Sequence, residues 1–432
     1  ALAAAVVWLA APAVIRWLDR PPAREGVSFT AQEREELKKL SREIWSFYED
    51  YVTAEDNWLP PDNVQFEPSN GVAHRTSPTN IGLYMASVVA ARDFGFIDTE
   101  GLVERLERTV ATIERMEKWE GHLYNWYDTE TLAPLHPVYV STVDSGNFVA
   151  CLFAVREGLL EWVRTDAAGS GSGAAQDERE SGADRFHVAF AEELAPRESR
   201  SGRADGELRG RRAGRGGGDD DLRERGARLA ARIDALAHAT NFRPLFDPKT
   251  NLFSLGYHVL RQERDTILYD LLASEARQAS FMAIALGQVS VSHWNALGRT
   301  MARTGGKPVL LSWSGTMFEY LMPWLLFRTY RGAVWENTYR AVVRRQIEYA
   351  EQRGVPFGIS ESGYFAYDRQ FNYQYRAFGV PGLGFQRGLE EDLVVAPYAT
   401  IMAMPFAKRE TLSALRRLER LGARGKYGFY EA

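Results

Sequence analysis

The run YDLLASEARQASFMAIALG (Tyr269–Gly287) is crowded with small residues, Ala273, Ser274, Ala276, Ala279, Ser280, Ala283 and Ala285, and closes on a glycine. Side chains of that size let backbones approach closely, so the run predicts a tightly packed inner helix ended by Gly287. Glu275 falls in its first turns with Arg277 nearby. A carboxylate there also suits the positive end of a helix dipole, which is its plainest explanation.

Downstream, LLSWSGTMFEYLMPWLLFRTY sets Glu319 in apolar surroundings interrupted by Pro323. Such a carboxylate must be paired, raised in pKa or turned toward a cavity. NTYRAVVRRQIEYAEQRG predicts an exposed amphipathic helix. It leads into VPFGISESGYFAYDRQFNYQYRAFGVPGLGFQR (Val355–Arg387), where glycines and two prolines forbid a continuous helix. Yet Tyr364, Phe365, Tyr367, Phe371, Tyr373, Tyr375 and Phe378 are too apolar for a solvated linker. Rings beside Glu361, Asp368, Asn372, Gln374 and Arg376 are the equipment of a sugar-binding cleft, flat faces for the pyranose and polar tips for its hydroxyls. Asp392 to Gly425 gives two more helices, interrupted by Pro397 and Pro405.

Upstream, Thr30 followed by Glu33 opens an amphipathic helix with Leu37, Leu40, Ile44, Phe47, Tyr48 and Tyr51 on one face. AEDNWLPPDNVQFEP breaks helicity and gathers Asp56, Asn57, Trp58, Asp62 and Asn63. SPTNIGLYMASVVAARDFG predicts a close-packed helix capped at Ser77 or Thr79, and Ile97–Trp119 a further amphipathic one. GHLYNWYDTETLAPLHPVYVSTVDSGN follows as a second long irregular segment, in which Asn125, Trp126, Tyr127, Asp128, Asp144, Ser145 and Asn147 repeat the pattern of rings beside hydrogen-bonding groups. Two such loops between helices point to one shared cleft. After a helix at FVACLFAVREGLLEWV, residues 165–221 turn to glycine, serine, arginine and acid with few large apolar side chains, and read as a disordered insertion. Helical periodicity resumes at Leu222, and NFRPLFDPKTNLFSLGYHVL predicts a short hairpin turning at DPKTN.

The 432 residues carry 52 basic and 57 acidic side chains, a net charge of −5 that argues against a nucleic-acid surface. Cys151 is alone in an apolar run, so no internal disulfide forms and a buried structural thiol is expected. The seven histidines lack metal-binding spacing, and neither a phosphate loop nor a dinucleotide fingerprint is present; no metal or cofactor is expected. SWSGT resembles a nucleophile elbow only loosely, so a turn is the better reading of Ser314. Residues 1–22, apolar apart from Arg16 and the closing Asp19 and Arg20, are expected to be the end of a membrane helix and its linker. Alternating helices and loops favour an all-α domain, with a toroid as the expected arrangement. Carboxylates beside aromatic loops suit glycoside chemistry, with Glu275, Glu319, Glu361, Asp144 and Asp128 all eligible. Composition and spacing do not choose among them.

The motifs YDLLASEARQASFMAIALG, LLSWSGTMFEYLMP, GVPFGISES, NYQYRAFGVPGLGFQRGLEEDLVVAPYAT and GARGKYGFYEA, with DNWLPPDN, AHRTSPTNIGLY, YNWYDTETLAP and VSTVDSGN in the earlier half, resemble the glycoamylase-like cyclisation domain of bacterial cyclic β-1,2-glucan synthases. The resemblance implies an (α/α)6 toroid in two parts, 26–164 and 222–432. It implies retaining transglycosylation of linear β-1,2-glucan, with Glu275 as acid/base and Glu361 as nucleophile, the pair being firmer than the division of roles. Carboxyls about 5–5.5 Å apart would go with retention. Glu319, Asp144, Asp128, Trp126 and Tyr373 would orient sugars, and Asp56, Trp58, Asn125, Tyr127, Asn147, Trp313, Tyr364, Tyr375 and Arg376 complete the expected substrate contacts. It further implies neighbouring glucosyltransferase and phosphorylase-like modules in one longer chain, and a place at the bacterial inner membrane with the domain on the cytoplasmic side. A hydrolytic β-1,2-glucanase and a non-catalytic glucan-holding module are the competing readings.

Overall fold

The computed structural model describes residues 29–168, 217–330 and 332–431. The expected membrane segment at 1–22 lies outside the described residues, as does most of the expected insertion. No helix among the described residues is long and apolar enough to cross a membrane.

Eleven α-helices are present among the described residues: α1 Ala31–Tyr51, α2 Pro78–Asp93, α3 Thr99–Arg115, α4 Thr142–Ala168, α5 Gly217–Ala239, α6 Arg277–Ala285, α7 Ser292–Ala296, α8 Met317–Leu321, α9 Val334–Arg353, α10 Pro397–Met402 and α11 Lys408–Arg420. Their starts follow local chemistry. Thr30 and Glu33 form the reciprocal capping box at α1, and Ser77, not Thr79, caps α2 through the Asn80 amide. Gly354 ends α9 in the left-handed conformation. Helix α4 starts at Thr142, six residues earlier than the loop reading of VSTVDSGN allowed. The signal was there: Ser141 accepts the Asp144 amide at 3.2 Å, the Ser-x-x-Asp pattern of a helix start. The ends of the expected insertion are also helical, α4 reaching residue 168 and α5 starting at 217.

Helix α2 packs on α1, α3 and α4; α4 packs on α5 and α6; α8 touches α9 and α10, and α10 packs on α11. Small residues set the approach where the sequence asked for it. A Cβ on Gly82 of α2 would lie 2.9 Å from the Cys151 Cβ of α4, and one on Gly146 would lie 2.5 Å from the Ala279 backbone of α6. Cys151 is fully buried there, its thiol pushed up to about 12 by burial, which leaves it inert. Ion pairs Lys408–Glu33 at 2.8 Å, Arg416–Glu36 at 2.8 Å and Arg424–Glu43 at 2.8 Å lay the end of the chain against its first helix.

Two cores result. One collects Ile81, Met85, Leu106, Leu152 and Phe253 from α2 to α5 and the predicted hairpin, whose strands pair Phe246 with Phe253. The other collects Met317, Tyr320, Val342 and Phe378 from α8, α9 and the glycine-rich loop. Each fully buried side chain of this size contributes about 1.5–3 kcal/mol. A small third cluster holds Tyr269, Ala273 and Ala276, with Trp313 packed against it.

The expectation of an all-α chain omits eight small sheets among the described residues, all of two or three strands. The most extended is the hairpin Ser362–Tyr367 with Tyr373–Arg376, inside the segment read as loop. A second hairpin, Val64–Phe66 with Ser69–Val72, holds it: Gln65 donates to the Phe371 carbonyl at 2.6 Å, Tyr373 donates to the Glu67 carbonyl at 2.6 Å, and Asn70 donates to Asn372.

The glycines around Glu361 are there for backbone reasons. Gly358 has φ +124°, and a Cβ on it would meet Thr400 Oγ1 at 2.3 Å and the Ala396 carbonyl at 3.0 Å. Gly358→Ala is therefore expected to combine left-handed strain with a clash and to destabilise the chain by about 2–4 kcal/mol, seen as a lower denaturation midpoint in urea. An unchanged midpoint would show that this loop yields freely.

Candidate active site

Glu275 is not in helix α6. It lies in the turn before Arg277, behind Ser274, whose φ is +52°. The turn is fixed from several sides. Arg277, 3% exposed, donates to the Glu319 carbonyl at 3.2 Å, the Tyr320 carbonyl at 2.7 Å and the Tyr339 hydroxyl at 3.1 Å, and its guanidinium lies 4.4 Å from the Trp335 ring centroid. The Ser274 amide donates to Glu319 Oε1 at 3.2 Å.

Glu275 is 6% exposed. Its Oε1 accepts from Asn147 Nδ2 at 2.7 Å, and Ser274 Oγ contacts its Oε2. Asn147 is itself held by Gln278, which donates to its Oδ1 at 2.6 Å, and its amide nitrogen also reaches Thr79 Oγ1 at 3.1 Å. Thr79 then donates to Asp144 Oδ1 at 2.5 Å. Asn125, with its amide nitrogen toward Asp144, donates to Oδ2 at 2.9 Å and accepts from Trp126 Nε1 at 3.3 Å. The start of α4 thus brings Asp144 and Asn147 together with Glu275. Burial, and after it the charge of Asp144, raises the Glu275 carboxyl, while the hydrogen bonds from Ser274 and Asn147 oppose the rise. Asp144 is raised by burial as well.

Glu361 is half-buried at the root of the aromatic hairpin. Gln346 clamps the Ile359 backbone through bonds of 2.7 and 2.9 Å, Ser360 Oγ accepts the Phe318 amide at 3.0 Å, and Tyr398 donates to the Glu361 carbonyl at 2.6 Å. The carboxyl accepts from the Tyr375 hydroxyl at 3.2 Å. Burial, then the charges of Glu275 and Glu319, push it up to about 8. Neither Glu275 nor Glu361 forms an ion pair with a described residue. Glu361 thus feels the charge of Glu275, and carboxyls coupled in this way can divide the work of proton donor and nucleophile.

Several expected sugar contacts have other duties. Asp56 is 5% exposed and accepts from His74 at 2.8 Å and from the Thr129 hydroxyl. Trp58 lies against α3 beneath Arg108, 4.5 Å from its ring centroid. Tyr127 is fully buried, accepting the Tyr124 amide at 2.8 Å. Asp128 accepts the Thr131 amide at 2.7 Å, which together with the Thr131 hydroxyl and the Glu130 amide lowers its carboxyl. Short polar side chains beside turns cap their own backbone, a use that composition alone does not separate from ligand binding. Glu319, 2% exposed, accepts from Ser312 Oγ at 2.8 Å and from the amides of Ser274, Ser314 and Thr316. Burial raises it and these donors pull it back, and through them it organises the 312–316 turn. Asn147 is fully buried on Glu275, and Tyr373 clasps the first hairpin.

The others keep part of their surface exposed. Trp313 stacks on Tyr269 at 5.8 Å beside the Glu275 turn, and Arg75 lies 5.1 Å from the Trp126 ring centroid. Tyr375 keeps 61% of its surface exposed above Glu361. Arg376 lies over Tyr364 and Phe378 and pairs with Asp392. Thr79, Ser274, Gln278 and Tyr398 escaped the sequence reading, being ordinary polar residues in helices and turns with no spacing to mark them.

Residues 268–432 match the family model described as "Glycoamylase: Putative glucoamylase". The chain is 38% identical to the cyclic β-(1,2)-glucan synthase NdvB of Rhizobium meliloti, in an alignment covering 99% of this chain and 17% of that protein. The chain thus spans less than a fifth of that relative's length. Among solved structures it resembles an endo-β-1,2-glucanase from Chitinophaga pinensis in complex with sophorotriose and glucose, at 15% identity and a TM-score of 0.62, covering 94% of this chain and 86% of that one. An endo-β-1,2-glucanase from Talaromyces funiculosus with sophorose is similar at 12% identity and a TM-score of 0.63, covering 93% and 81%. At these identities the structural likeness speaks for the fold alone.

Proposed function

We propose that this chain, which carries a glycoamylase-like domain, is the glucan-cyclising transglycosylase of a cyclic β-1,2-glucan synthase. The observation that carries the reading is that helix α8 ties the two glutamate turns together, Glu319 accepting the Ser274 amide at 3.2 Å and the Phe318 amide donating to Ser360 Oγ at 3.0 Å, with the charge of Glu275 helping to raise Glu361. In the proposed cycle the ionised form of Glu361, the minor form below about pH 8, attacks the anomeric carbon of a linear β-1,2-glucan while the proton of Glu275 reaches the departing oxygen. The chain's own non-reducing-end hydroxyl then replaces Glu361, returning its proton to Glu275. Water must lose to that hydroxyl. The exposed rings of Tyr375, Phe365 and Phe371 on the clasped hairpin offer apolar faces that hold the glucan curled and make closure effectively intramolecular.

The two-part domain, 26–164 with 222–432, would form an (α/α)6 toroid, a reading supported by the ion pairs between α11 and α1. Anchorage to a bacterial inner membrane through residues 1–22, with the domain on the cytoplasmic side and further modules in one longer chain, belongs to the same proposal. Endo-hydrolysis is the second reading, favoured by the β-1,2-glucanases among the structures of similar fold. Incubating the chain with linear β-1,2-glucan separates them. Cyclisation yields products without reducing ends, and accumulation of short reducing glucans instead would overturn it.

A further inference from the structure

The Glu275 carboxyl is almost sealed off, whereas the residue touching its outer oxygen is partly exposed. Hydrogen-bond directions decide where a proton can sit. Oε1 is committed as an acceptor to Asn147 Nδ2, whose orientation is fixed because Gln278 donates to its Oδ1. A proton on Glu275 therefore belongs on Oε2, against Ser274 Oγ. With Oε2 protonated it donates to Ser274, leaving the serine hydroxyl hydrogen free to point into the cleft. With Glu275 ionised, the serine donates back to Oε2. The backbone sustains this contact in an uncommon geometry: φ at Ser274 is +52°, and its amide is tied to Glu319.

We propose that Ser274 is a catalytic residue, its hydroxyl carrying the proton between Glu275 and the glycosidic oxygen. This rests on the reading of Glu275 as acid/base. In the first half-reaction Oε2–H passes its proton to Ser274 Oγ as the Ser274 hydroxyl proton moves to the departing oxygen, the anomeric C–O bond breaks onto that oxygen, and Glu361 bonds to the anomeric carbon. In the second half the incoming hydroxyl gives its proton to Ser274 Oγ, the serine proton returns to Glu275 Oε2, the new C–O bond forms and the bond to Glu361 breaks. No co-reactant is needed, and both carboxyls return to their starting states.

Ser274→Gly removes the hydroxyl while suiting the left-handed backbone. Its rates are compared on linear β-1,2-glucan and in the pre-steady-state release of dinitrophenolate from a dinitrophenyl β-sophoroside, a first half-reaction whose leaving group departs without a proton. The expected result is a loss of about 10²-fold or more on the glucan, with the aryl substrate spared. A ratio between the two losses below about tenfold overturns the relay, since a merely structural serine would slow both alike. Where glycine unfolds the turn, Ser274→Asn, which also tolerates this backbone, takes its place. Glu275→Gln run in parallel keeps the two ideas apart. If it spares neither substrate or slows neither, the acid/base reading itself fails; if it shows the selective loss and Ser274→Gly does not, only the relay falls.

Discussion

Glu361→Gln is expected to abolish ring formation, by about 10³-fold or more, while making the folded chain more stable at neutral pH. The glutamine keeps the shape and can still accept from Tyr375, but it cannot attack an anomeric carbon. The stability half follows from the carboxyl's position at about 8 against an ordinary value of 4.5. Between those values the folded chain holds a proton that the unfolded chain has released. The stability contributed by the neutral form is thus complete below about pH 4.5 and drains away as pH rises toward 8. Glutamine removes that drain, so the melting-temperature advantage of the variant should grow from pH 5 to pH 8 and then level off. Calorimetry at the two pH values tests it. An advantage independent of pH, or rings still formed at the normal rate, would remove Glu361 from the centre of the mechanism.

Arg277→Met is expected to give the largest loss of stability, about 3–5 kcal/mol. The substitution strands the carbonyls of Glu319 and Tyr320 without donors in a place water does not reach, and it empties the face of Trp335. Lysine should not rescue it, because one ammonium cannot reproduce a planar fork that spans two carbonyls and a phenol. Urea unfolding followed by circular dichroism reads the difference. Ring formation should suffer as well, since Glu319 holds the Ser274 amide and with it the turn that carries Glu275. A midpoint within about 1 kcal/mol of the parent would mean that solvent enters this region and that the guanidinium is dispensable.

Much of this was legible in the chain itself. Thr30 with Glu33, Ser77 before Pro78, and DPKTN between two apolar pairs each fixed a local structure, because their partners lie three to five residues away. The small residues at Gly82 and Ala279 likewise announced close helix contacts, a demand of size alone. Local chemistry also marked Glu275 and Glu361 as eligible, and resemblance singled them out. What the order of residues could not convey was which oxygen meets which hydrogen across the molecule. Asp128 and Asp56 look as suited to a sugar as Asp144 does, yet Asp128 caps a turn, Asp56 ties His74 to Thr129 and Asp144 joins the Glu275 network through Thr79. Glu319 proves to be a hub for amides, and Ser274, noted in sequence only for its size, contacts the buried Glu275 carboxyl. Such roles depend on contacts among residues 45 to 131 positions apart, and on a single backbone angle at Ser274. Capping, turn formation and helical packing size are decided by neighbours along the chain; proton placement is decided by neighbours in space, which only the folded arrangement supplies.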